Sequence, residues 1–403
     1  MNERIKTACA VIFAAFSVAV AIFLMCMNLG VFAQVSDLPE FYAAARMVLA
    51  GQGKDVYVLA AQQMAQNACF PALGGRITAF FVNPISFPLL VPLGWVPVSI
   101  VIYVWKALQF IAAGVAFWLI KKSFELDLRG LMWLIAVTMC SGAAFESVRL
   151  DQLGMFLLLG ISLATWGLKQ DRPIIAALGL SILFLKPQEL LPLLAFLLGA
   201  RRYKVLLYLV VLGFIFGGIA MLEIGVDGLV NYKQLMMSTA DSSQFLQTHL
   251  SPSLRGQLFR LFPLSKTLLT IITGVIYFAA LGLFAWCGNL FSKSHKWIEA
   301  GLICAMPLGM VLSPYFFDYD LLILMPSLVV LTQKSLQDRL PPWAILSCMF
   351  GGFIFMLPFS FQIHYDYLMK GGLWNPSFIA LLLFGIGCLV VALKHKTYFD
   401  EYV

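Results

Sequence analysis

The sequence predicts an all-α protein that crosses a membrane many times. Of its 403 residues, 61% are hydrophobic and only 12% are charged, whereas about a quarter of the residues in soluble chains are charged. The apolar residues form about twelve segments, several of them near the roughly twenty residues that a helix needs to cross a bilayer. These two observations exclude a soluble globular protein.

The predicted spans and re-entrant segments follow one another along the whole chain, separated by polar breaks. We expect the first to be an uncleaved span, because its apolar run is too long for a signal peptide. The sequence contains no internal repeat and no low-complexity linker, which predicts a single domain over residues 1–403. The predicted segments are 8–33, 98–120, 131–147, 153–168, 174–185, 188–199, 205–222, 267–290, 298–313, 319–332, 341–360 and 373–393.

The basic residues predict the orientation of the chain in the membrane. More than half of the 27 Lys and Arg lie in short tracts, such as those at 121–129 and 201–204. Because short cytoplasmic loops are enriched in Lys and Arg, we expect these tracts and both termini to be cytoplasmic. The two long loops, at about 34–85 and 223–266, then lie on the extracytoplasmic side of the inner (plasma) membrane. The net charge of +7 therefore indicates topology and not a nucleic-acid partner.

A polar break interrupts the apolar sequence at L185-K-P-Q-E-L190. Charged groups at hydrocarbon depth are costly, and broken helices persist only where they line a water-filled cavity walled by protein. We therefore expect Lys186 and Glu189 to mark the floor of an outward-facing cavity.

The first outer segment begins with the tract S36-D-L-P-E-F-Y-A-A-A. Apolar residues at helical spacing predict an amphipathic helix that lies on the outer membrane surface and ends at Gly51. Asp37 has two interpretations, either the start of a capping box with Glu40 or a general base at the mouth of the cavity. The two are compatible, because capping would fix the orientation of the carboxylate.

A single carboxylate at this place fits sugar transfer from a lipid phosphate. A glycosidase needs two carboxylates, but an inverting transfer from this donor needs one base, because phosphate leaves without a general acid. The reaction also needs cations for the departing phosphate. The best candidates are Arg149, Lys186 and Arg255. The alternative for the two arginines is ordinary anchoring of the side chain at the membrane interface.

Two further features of the outer segments allow either a binding or a structural role. The tract D318-Y-D320 has a spacing that can hold a divalent metal near a phosphate, but it also fits a polar helix start after Pro314. His249, in the second long loop, is either a substrate-binding residue or a solvated side chain.

Five tracts, in order, resemble glycosyltransferase family 87, the polyprenol-phosphate-mannose-dependent α-1,2-mannosyltransferase-like membrane proteins of the GT-C superfamily. The resemblance extends from about residue 36 to residue 322. The tracts are S36-D-L-P-E-F-Y-A-A-A with Gly51 and Tyr57, N83-P-I-S-F-P-L-L-V-P-L-G-W-V-P, D151-Q-L-G154, A176-A-L-G-L-S-I-L-F-L-K-P followed by L197-L-G-A-R-R202, and L312-S-P.

The resemblance implies a GT-C-type fold, with Asp37 as the catalytic base and Lys186 at the family's Lys-Pro lysine. It implies a polyprenyl-phosphate donor of a hexose, most often mannose, and an acceptor that is a lipid-linked or envelope glycan. It also implies catalysis without a metal cofactor, with a divalent metal as the alternative. We expect the donor phosphate to contact Arg149, Lys186 and Arg255. The residues expected to bind substrate are Glu40, Tyr42, Asp151, Gln152, His249, Asp318, Tyr319 and Asp320.

The chain departs from the family pattern at two places. Asp151 occupies the position before the glutamine where many relatives have glycine, and Phe317, Tyr319 and Asp320 follow Ser-Pro where relatives often have a Trp and His pair. These differences leave the sugar and the acceptor open.

Two other functions remain as alternatives. A lipid-sugar flippase or another transporter would also have intramembrane charges and broken helices, but it would more often have a two-fold repeat of spans. A glycan polymerase or ligase would use the same side of the membrane with a diphosphate-linked donor.

Overall fold

The chain folds into helices joined by short turns. The computed structural model describes residues 3–28, 36–239, 250–262, 265–336 and 367–394. Within these ranges there are helices and 3₁₀ segments and no β-strand, which confirms the predicted all-α class there. The predicted span at 341–360 and His249 lie outside the described residues. The helices are α1 (Glu3–Asn28), α2 (Leu38–Leu49), α3 (Leu59–Cys69), α4 (Phe87–Leu90), α5 (Val101–Phe124), α6 (Leu128–Met139), α7 (Gly142–Arg149), α8 (Gly154–Lys169), α9 (Pro173–Ile182), α10 (Pro187–Gly199), α11 (Tyr203–Thr239), α12 (Leu254–Leu261), α13 (Lys266–Phe291), α14 (Trp297–Cys304), α15 (Met306–Leu312), α16 (Met325–Leu336) and α17 (Pro376–Lys394).

Four helices in the described ranges are long and apolar enough to cross a membrane, namely α5, α11, α13 and α17. The pair α6 and α7 adds a fifth if it forms one span, since the two helices are bent by 59° at a short break. Other apolar helices, such as α8, α9 and α10, have only 10–17 residues. The chain is thus a helical protein with the character of a polytopic membrane protein, and the total of about twelve spans stays a prediction.

The predicted polar break is present between α9 and α10. A 3₁₀ turn at Leu183–Leu185 ends the first helix, and Lys186 leaves the helical conformation with φ −141° and ψ 77°. Pro187 then begins α10. Proline disfavours helical geometry in the residue before it, which explains why the break falls at the lysine. The interruption brings Lys186 and Glu189 to the same end of two short apolar helices.

The predicted helix after Asp37 is present as α2, but it is more deeply buried than an amphipathic surface helix would be. Nine of its twelve residues are buried, including the polar side chains of Glu40 and Tyr42. The reason is that α3 and the 3₁₀ segment Val91–Trp95 both pack against it. Its place on the outer membrane surface stays a prediction.

Helix α11 extends beyond the predicted end of its span. Residues 223–239, which we predict as the start of the second outer loop, continue as helix after a bend at Gly225 (φ 67°, ψ −177°). Apolar residues such as Val226, Leu229 and Val230 maintain the helical pattern past the bend. The helix also contacts the first outer segment, because Asn231 Nδ2 donates to the Lys54 carbonyl at 2.8 Å.

Helices α10 and α13 approach each other closely through glycines. A Cβ atom at Gly288 would lie 2.0 Å from the carbonyl oxygen of Phe196, and one at Gly199 would lie 1.7 Å from that of Ala285. Both distances are far below van der Waals contact, and the clashing atoms belong to the backbone, so neither helix can move a side chain aside. These glycines therefore set the distance between α13 and α10, the helix that follows Lys186.

We expect Gly288→Ala to destabilise the protein, because the added methyl group forces the two backbones apart. Overpacking of this kind costs typically about 1–3 kcal/mol. The measurement is the unfolding temperature of the purified protein in detergent. Gly282→Ala in the same helix is the matched control, since a Cβ there meets nothing within 4 Å. Equal unfolding temperatures for the two variants would contradict the close approach.

Candidate active site

Asp37 lies immediately before α2, but its carboxylate does not cap the helix. No hydrogen bond joins the Asp37 side chain to the described first turn. The Ser36 hydroxyl instead accepts a hydrogen bond from the Leu38 N–H at 3.0 Å. The Glu40 N–H, which a capping side chain would bind, donates to the main-chain carbonyl of Asp37 at 3.1 Å, so the predicted capping role of the Asp37 carboxylate is wrong. The carboxylate is left available for other contacts.

The Asp37 carboxylate is held by a residue far away in the sequence. Gln152, 115 positions later, donates a hydrogen bond from its Nε2 to Asp37 Oδ2. The backbone N–H of Asp37 donates to the Leu150 carbonyl at 2.9 Å. Both partners belong to the short connection between α7 and α8. Asp37 itself is partly exposed, so its side chain has a fixed orientation and is still accessible.

The connection between α7 and α8 is held in turn by α5. Lys106 Nζ lies 2.6 Å from Asp151 Oδ1, and the two side chains are only 3% and 1% exposed. Trp105 Nε1 donates to the Asp151 carbonyl, and Gln109 Nε2 donates to the Gln152 carbonyl, both at 2.9 Å. Asp151 also accepts a 2.7 Å hydrogen bond from the Ser36 hydroxyl.

Sequence reasoning did not select Lys106, although a signal for it was available. The lysine lies inside the predicted span at 98–120, and an ionisable residue within an apolar span usually has a partner and a function. Its partner, Asp151, was selected as a substrate-binding residue. In the structure that carboxylate is buried and engaged by Lys106 and Ser36.

Lys186 forms the centre of a second charged group. Its Nζ donates to both carboxylate oxygens of Asp320 at 2.6 Å and lies 4.6 Å from the centre of the Tyr319 ring. Asp320 also accepts from the Phe317 N–H at 2.9 Å. The fully buried Glu189 carboxyl interacts with that of Asp320. Lys186 and Asp320 thus meet, as expected for two site residues.

Arg149 is paired with its neighbour on α7. The guanidinium Nη2 lies 2.6 Å from Glu146 Oε2, and the Nε donates to the same carboxylate at 3.1 Å. The arginine side chain is 30% exposed, whereas the Glu146 side chain is 4% exposed. The cation is therefore the more accessible member of the pair.

The pKa of Asp37 is set by its burial and its neighbours. Burial raises it from 3.8 to about 6, and the hydrogen bond from Gln152 lowers it. The negative charge of Asp151 adds to the increase, while Lys186 and Arg149 oppose it. An acid with a pKa just below neutrality is ionised at neutral pH and still accepts a proton readily. Both properties suit a general base.

Glu40, one turn further along α2, has a different character. Burial raises its pKa well above the usual value, and the charge of Asp37 raises it further, with Lys186 acting in the opposite direction. Burial therefore raises the pKa of both carboxyl groups, and Lys186 opposes the increase at each of them.

Tyr315 interacts electrostatically with both the acids of α2 and its start and the Lys186–Asp320 pair, although sequence reasoning did not select it. Burial raises the pKa of its hydroxyl well above 10, and the charges of Asp320, Asp37 and Glu40 raise it further, while Arg255 lowers it. The tyrosine is therefore within electrostatic reach of acids from two segments and of a cation from α12. Arg255 is 9% exposed and lies over the Phe259 ring at 5.1 Å.

Asp318 lies at the edge of this region. It bonds with the Ser377 side chain, and its neighbours include Glu146 and Asp320. Burial raises its pKa to about 7, and Ser377 lowers it. Asp318 and Asp320 have different partners, and no group of three or more His, Cys, Asp or Glu in the described ranges is arranged to hold a metal ion.

The predicted site residues thus fall into two sets. Tyr42 is not linked to the acids by any contact given for the described residues, and its hydroxyl donates to the Val96 carbonyl at 2.8 Å. His249 lies outside the described residues. The residues that the structure links by contacts or by mutual electrostatic interaction are Asp37, Glu40, Arg149, Asp151, Gln152, Lys186, Arg255, Asp318, Tyr319 and Asp320.

Comparison with protein families assigns the chain to a family. The family model described as glycosyltransferase family 87 matches residues 80–314. No curated protein and no solved structure matches the chain. The matched range contains Gln152, Lys186 and Arg255, and it ends before Asp320, while Asp37 lies ahead of it. Since the match covers more than half of the 403 residues, the chain belongs to glycosyltransferase family 87 and is a membrane glycosyltransferase.

Proposed function

We propose that the protein is an inverting glycosyltransferase that moves a hexose from a polyprenyl-phosphate donor to a lipid-linked or envelope glycan. Asp37 is the general base, and the reaction takes place on the extracytoplasmic side of the plasma membrane. The resemblance to the family's mannosyl-transferring members favours mannose as the sugar and a GT-C-type fold as the scaffold. The donor enters from the bilayer, so that its polyprenyl chain stays in lipid.

The observation that carries this proposal is the environment of Asp37. Three nearby side chains, Lys186, Arg149 and Asp151, form ion pairs, whereas the donor to the Asp37 carboxylate is the neutral amide of Gln152. Within the described residues, the Asp37 carboxylate is thus oriented, partly exposed and without an ion pair, and such a group can accept a proton from a substrate hydroxyl.

The chemistry needs only one base. The acceptor oxygen attacks the anomeric carbon from the face opposite the phosphate, and a new glycosidic C–O bond forms. The bond from the anomeric carbon to the phosphate oxygen breaks, and the polyprenyl phosphate leaves with the electron pair. The proton of the acceptor hydroxyl passes to Asp37. Because attack and departure occur on opposite faces, the configuration inverts.

The leaving phosphate gains negative charge in the transition state, and Lys186 is the cation best suited to receive it. Its ammonium group has three donors, and the side chain is 13% exposed. Arg149 and Arg255 lie at other edges of the same region and complete a set of cations around Asp37 and Tyr315. Fixed charges of this kind stabilise a departing anion without reorganisation.

The first test is Asp37→Asn. We expect kcat to fall by roughly 10²–10⁴-fold, since this is the usual contribution of a general base, while the amide keeps the shape of the side chain and the folded yield. The measurement is transfer from a labelled polyprenyl-phosphate sugar by purified protein. Asp55→Asn is the matched control, because Asp55 lies in the same outer segment in a 3₁₀ turn, partly exposed. Full turnover by the Asp37 variant would remove its catalytic role.

The second test is the pH profile. The base must be ionised, so kcat/KM is expected to fall as the pH decreases through about 6, the raised pKa of Asp37. A bound donor phosphate adds negative charge beside Asp37, so the acid limb of kcat is expected at higher pH than that of kcat/KM. Glu40→Gln serves as a control that should leave this limb near its wild-type position, because the charges that shift the pKa of Asp37 are those of Asp151, Lys186 and Arg149. A limb that disappears with Glu40 would reassign the base.

The third test concerns the phosphate. Lys186→Met leaves Asp320 without its cation, so the informative variant is Lys186→Met combined with Asp320→Asn, which removes both charges. We expect this double variant to fold and to show a kcat roughly 10²–10³-fold below wild type, as for the loss of one donor to a developing anion. Asp320→Asn alone is the control for folding and for the bond to Phe317. Wild-type turnover by the double variant would exclude Lys186 from phosphate binding.

A donor comparison separates this proposal from the two alternatives. Purified protein is given the same labelled sugar on a polyprenyl monophosphate or on a polyprenyl diphosphate, with and without EDTA. The proposal requires transfer from the monophosphate and its persistence in EDTA. Transfer from the diphosphate alone would identify a polymerase or ligase. Movement of the lipid across a vesicle membrane without transfer, unaffected by Asp37→Ala, would identify a transporter.

A further inference from the structure

A lysine is buried near the start of the apolar helix α5 (Val101–Phe124). Lys106 is 3% exposed, which excludes direct contact between its ammonium group and a bound substrate in this conformation. A buried charge of this kind is retained only with a partner and good hydrogen bonding. Its partners are the Asp151 carboxylate at 2.6 Å and the Val148 carbonyl. Both belong to the end of α7 and the connection that follows.

One face of α5 therefore binds this connection at several points. Besides Lys106, Trp105 donates to the Asp151 carbonyl at 2.9 Å, and Gln109 donates to the carbonyls of Ser147 and Gln152 at 3.2 and 2.9 Å. Three neighbouring side chains of one helix thus hold several backbone and side-chain acceptors. The connection can move relative to α5 only if several of these bonds break together.

The same connection holds both the backbone around Asp37 and its side chain. The Asp151 carboxylate accepts from Ser36 at 2.7 Å, and the Ser36 hydroxyl accepts from the Leu38 N–H at 3.0 Å. Gln152, the next residue after Asp151, donates to the Asp37 carboxylate. The residues on either side of Asp37 and its own carboxylate are therefore all tied to the segment that Lys106 holds.

Asp151 occupies the left-handed position at the end of α7. The helix ends with a hydrogen bond from the Gln152 N–H to the Ser147 carbonyl at 2.9 Å, and Asp151 has φ 58°. Glycine is usual at this position, and aspartate is one of the other residues that adopt it most readily. Unlike glycine, aspartate also supplies the bonds to Lys106 and Ser36.

We propose that Lys106 is a positioning residue for the transfer reaction, which fixes the orientation of the Asp37 base through Asp151 and the α7–α8 connection. The inference rests on the proposed function of Asp37. It adds that the orientation of the base depends on a charged residue that makes no contact with substrate.

The experiment compares Lys106→Met with Lys122→Met, which changes an exposed lysine of the same helix about four turns away. Turnover is measured per folded protein, quantified by size-exclusion chromatography. A displaced base is expected to lower kcat by roughly 10–100-fold, while KM for the donor changes by less than about twofold because no substrate contact is lost. Lys122→Met is expected to retain wild-type kcat.

The pH profile supplies a readout that a merely structural lysine would not move. The charged and titratable groups facing Asp37 are Asp151, Lys186, Arg149, Glu40, Tyr315 and Tyr319. Lys106 lowers the pKa of Asp151, so in Lys106→Met burial favours the neutral form of Asp151 and weakens the repulsion that raises the pKa of Asp37. The acid limb of kcat/KM is therefore expected at lower pH in Lys106→Met than in wild type.

A second variant keeps the proposal testable if Lys106→Met does not fold. Lys106→Met with Asp151→Asn removes both buried charges, and asparagine tolerates the left-handed backbone and can still accept from Ser36. This variant is expected to fold and to have a lower kcat than wild type. Its acid limb is expected at lower pH than in wild type, because residue 151 no longer carries the charge that raises the pKa of Asp37. Wild-type kcat and an unshifted limb in either variant would overturn the positioning role.

The result for Asp37→Asn separates the two proposals. If Asp37→Asn is inactive while the Lys106 variants behave as wild type, only the positioning role fails. If Asp37→Asn retains full turnover, the assignment of the base fails, and with it the inference that depends on it.

Discussion

Local neutralisation of charge governs the construction of the site. A charge buried in the apolar interior of a membrane protein costs several kcal/mol unless it has a well-placed partner. In this protein Lys106 meets Asp151, Lys186 meets Asp320 and Arg149 meets Glu146. The first two pairs join segments that are far apart in the sequence, so the same contacts neutralise the buried charges and stabilise the tertiary structure.

Asp37 differs from these acids in the kind of partner it has. Its carboxylate accepts from an uncharged amide, and its pKa rises to about 6 as a result of burial. Desolvation of a carboxylate is usually unfavourable for stability, but here it makes the group a stronger proton acceptor at neutral pH. The ion pairs around Asp37 hold the neighbouring backbone in place, and they are formed by other carboxylates.

The sequence was sufficient for the class of fold and for the main break in the chain. Apolar periodicity predicted helices, and the Lys-Pro pair predicted the interruption before α10, because both depend on local rules of length, polarity and proline geometry. The resemblance to glycosyltransferase family 87 was also recognised from ordered tracts, and the family match over residues 80–314 confirms it. Asp37 and Lys186 were selected as site residues on the same basis.

The sequence could not supply the pairings, because these depend on which segments become neighbours in three dimensions. The capping motif at Asp37 was misassigned, since the Glu40 N–H donates to the main-chain carbonyl of Asp37 and not to its side chain. Asp151 was assigned to substrate, whereas its carboxylate meets Lys106 from α5. The contribution of Tyr315 follows from the juxtaposition of three acids and Arg255, which no local pattern encodes.

The left-handed backbone of Asp151 also limits how this part of the protein can change during evolution. Glycine relaxes the strain there but removes the carboxylate, whereas a branched residue such as valine keeps a side chain in a conformation that it rarely adopts. A substitution at this position therefore either removes the bonds to Lys106 and Ser36 or, for a branched residue, strains the backbone. A relative without the acid at this position would leave the α5 lysine buried without its partner. We therefore expect the two residues to be present together or absent together.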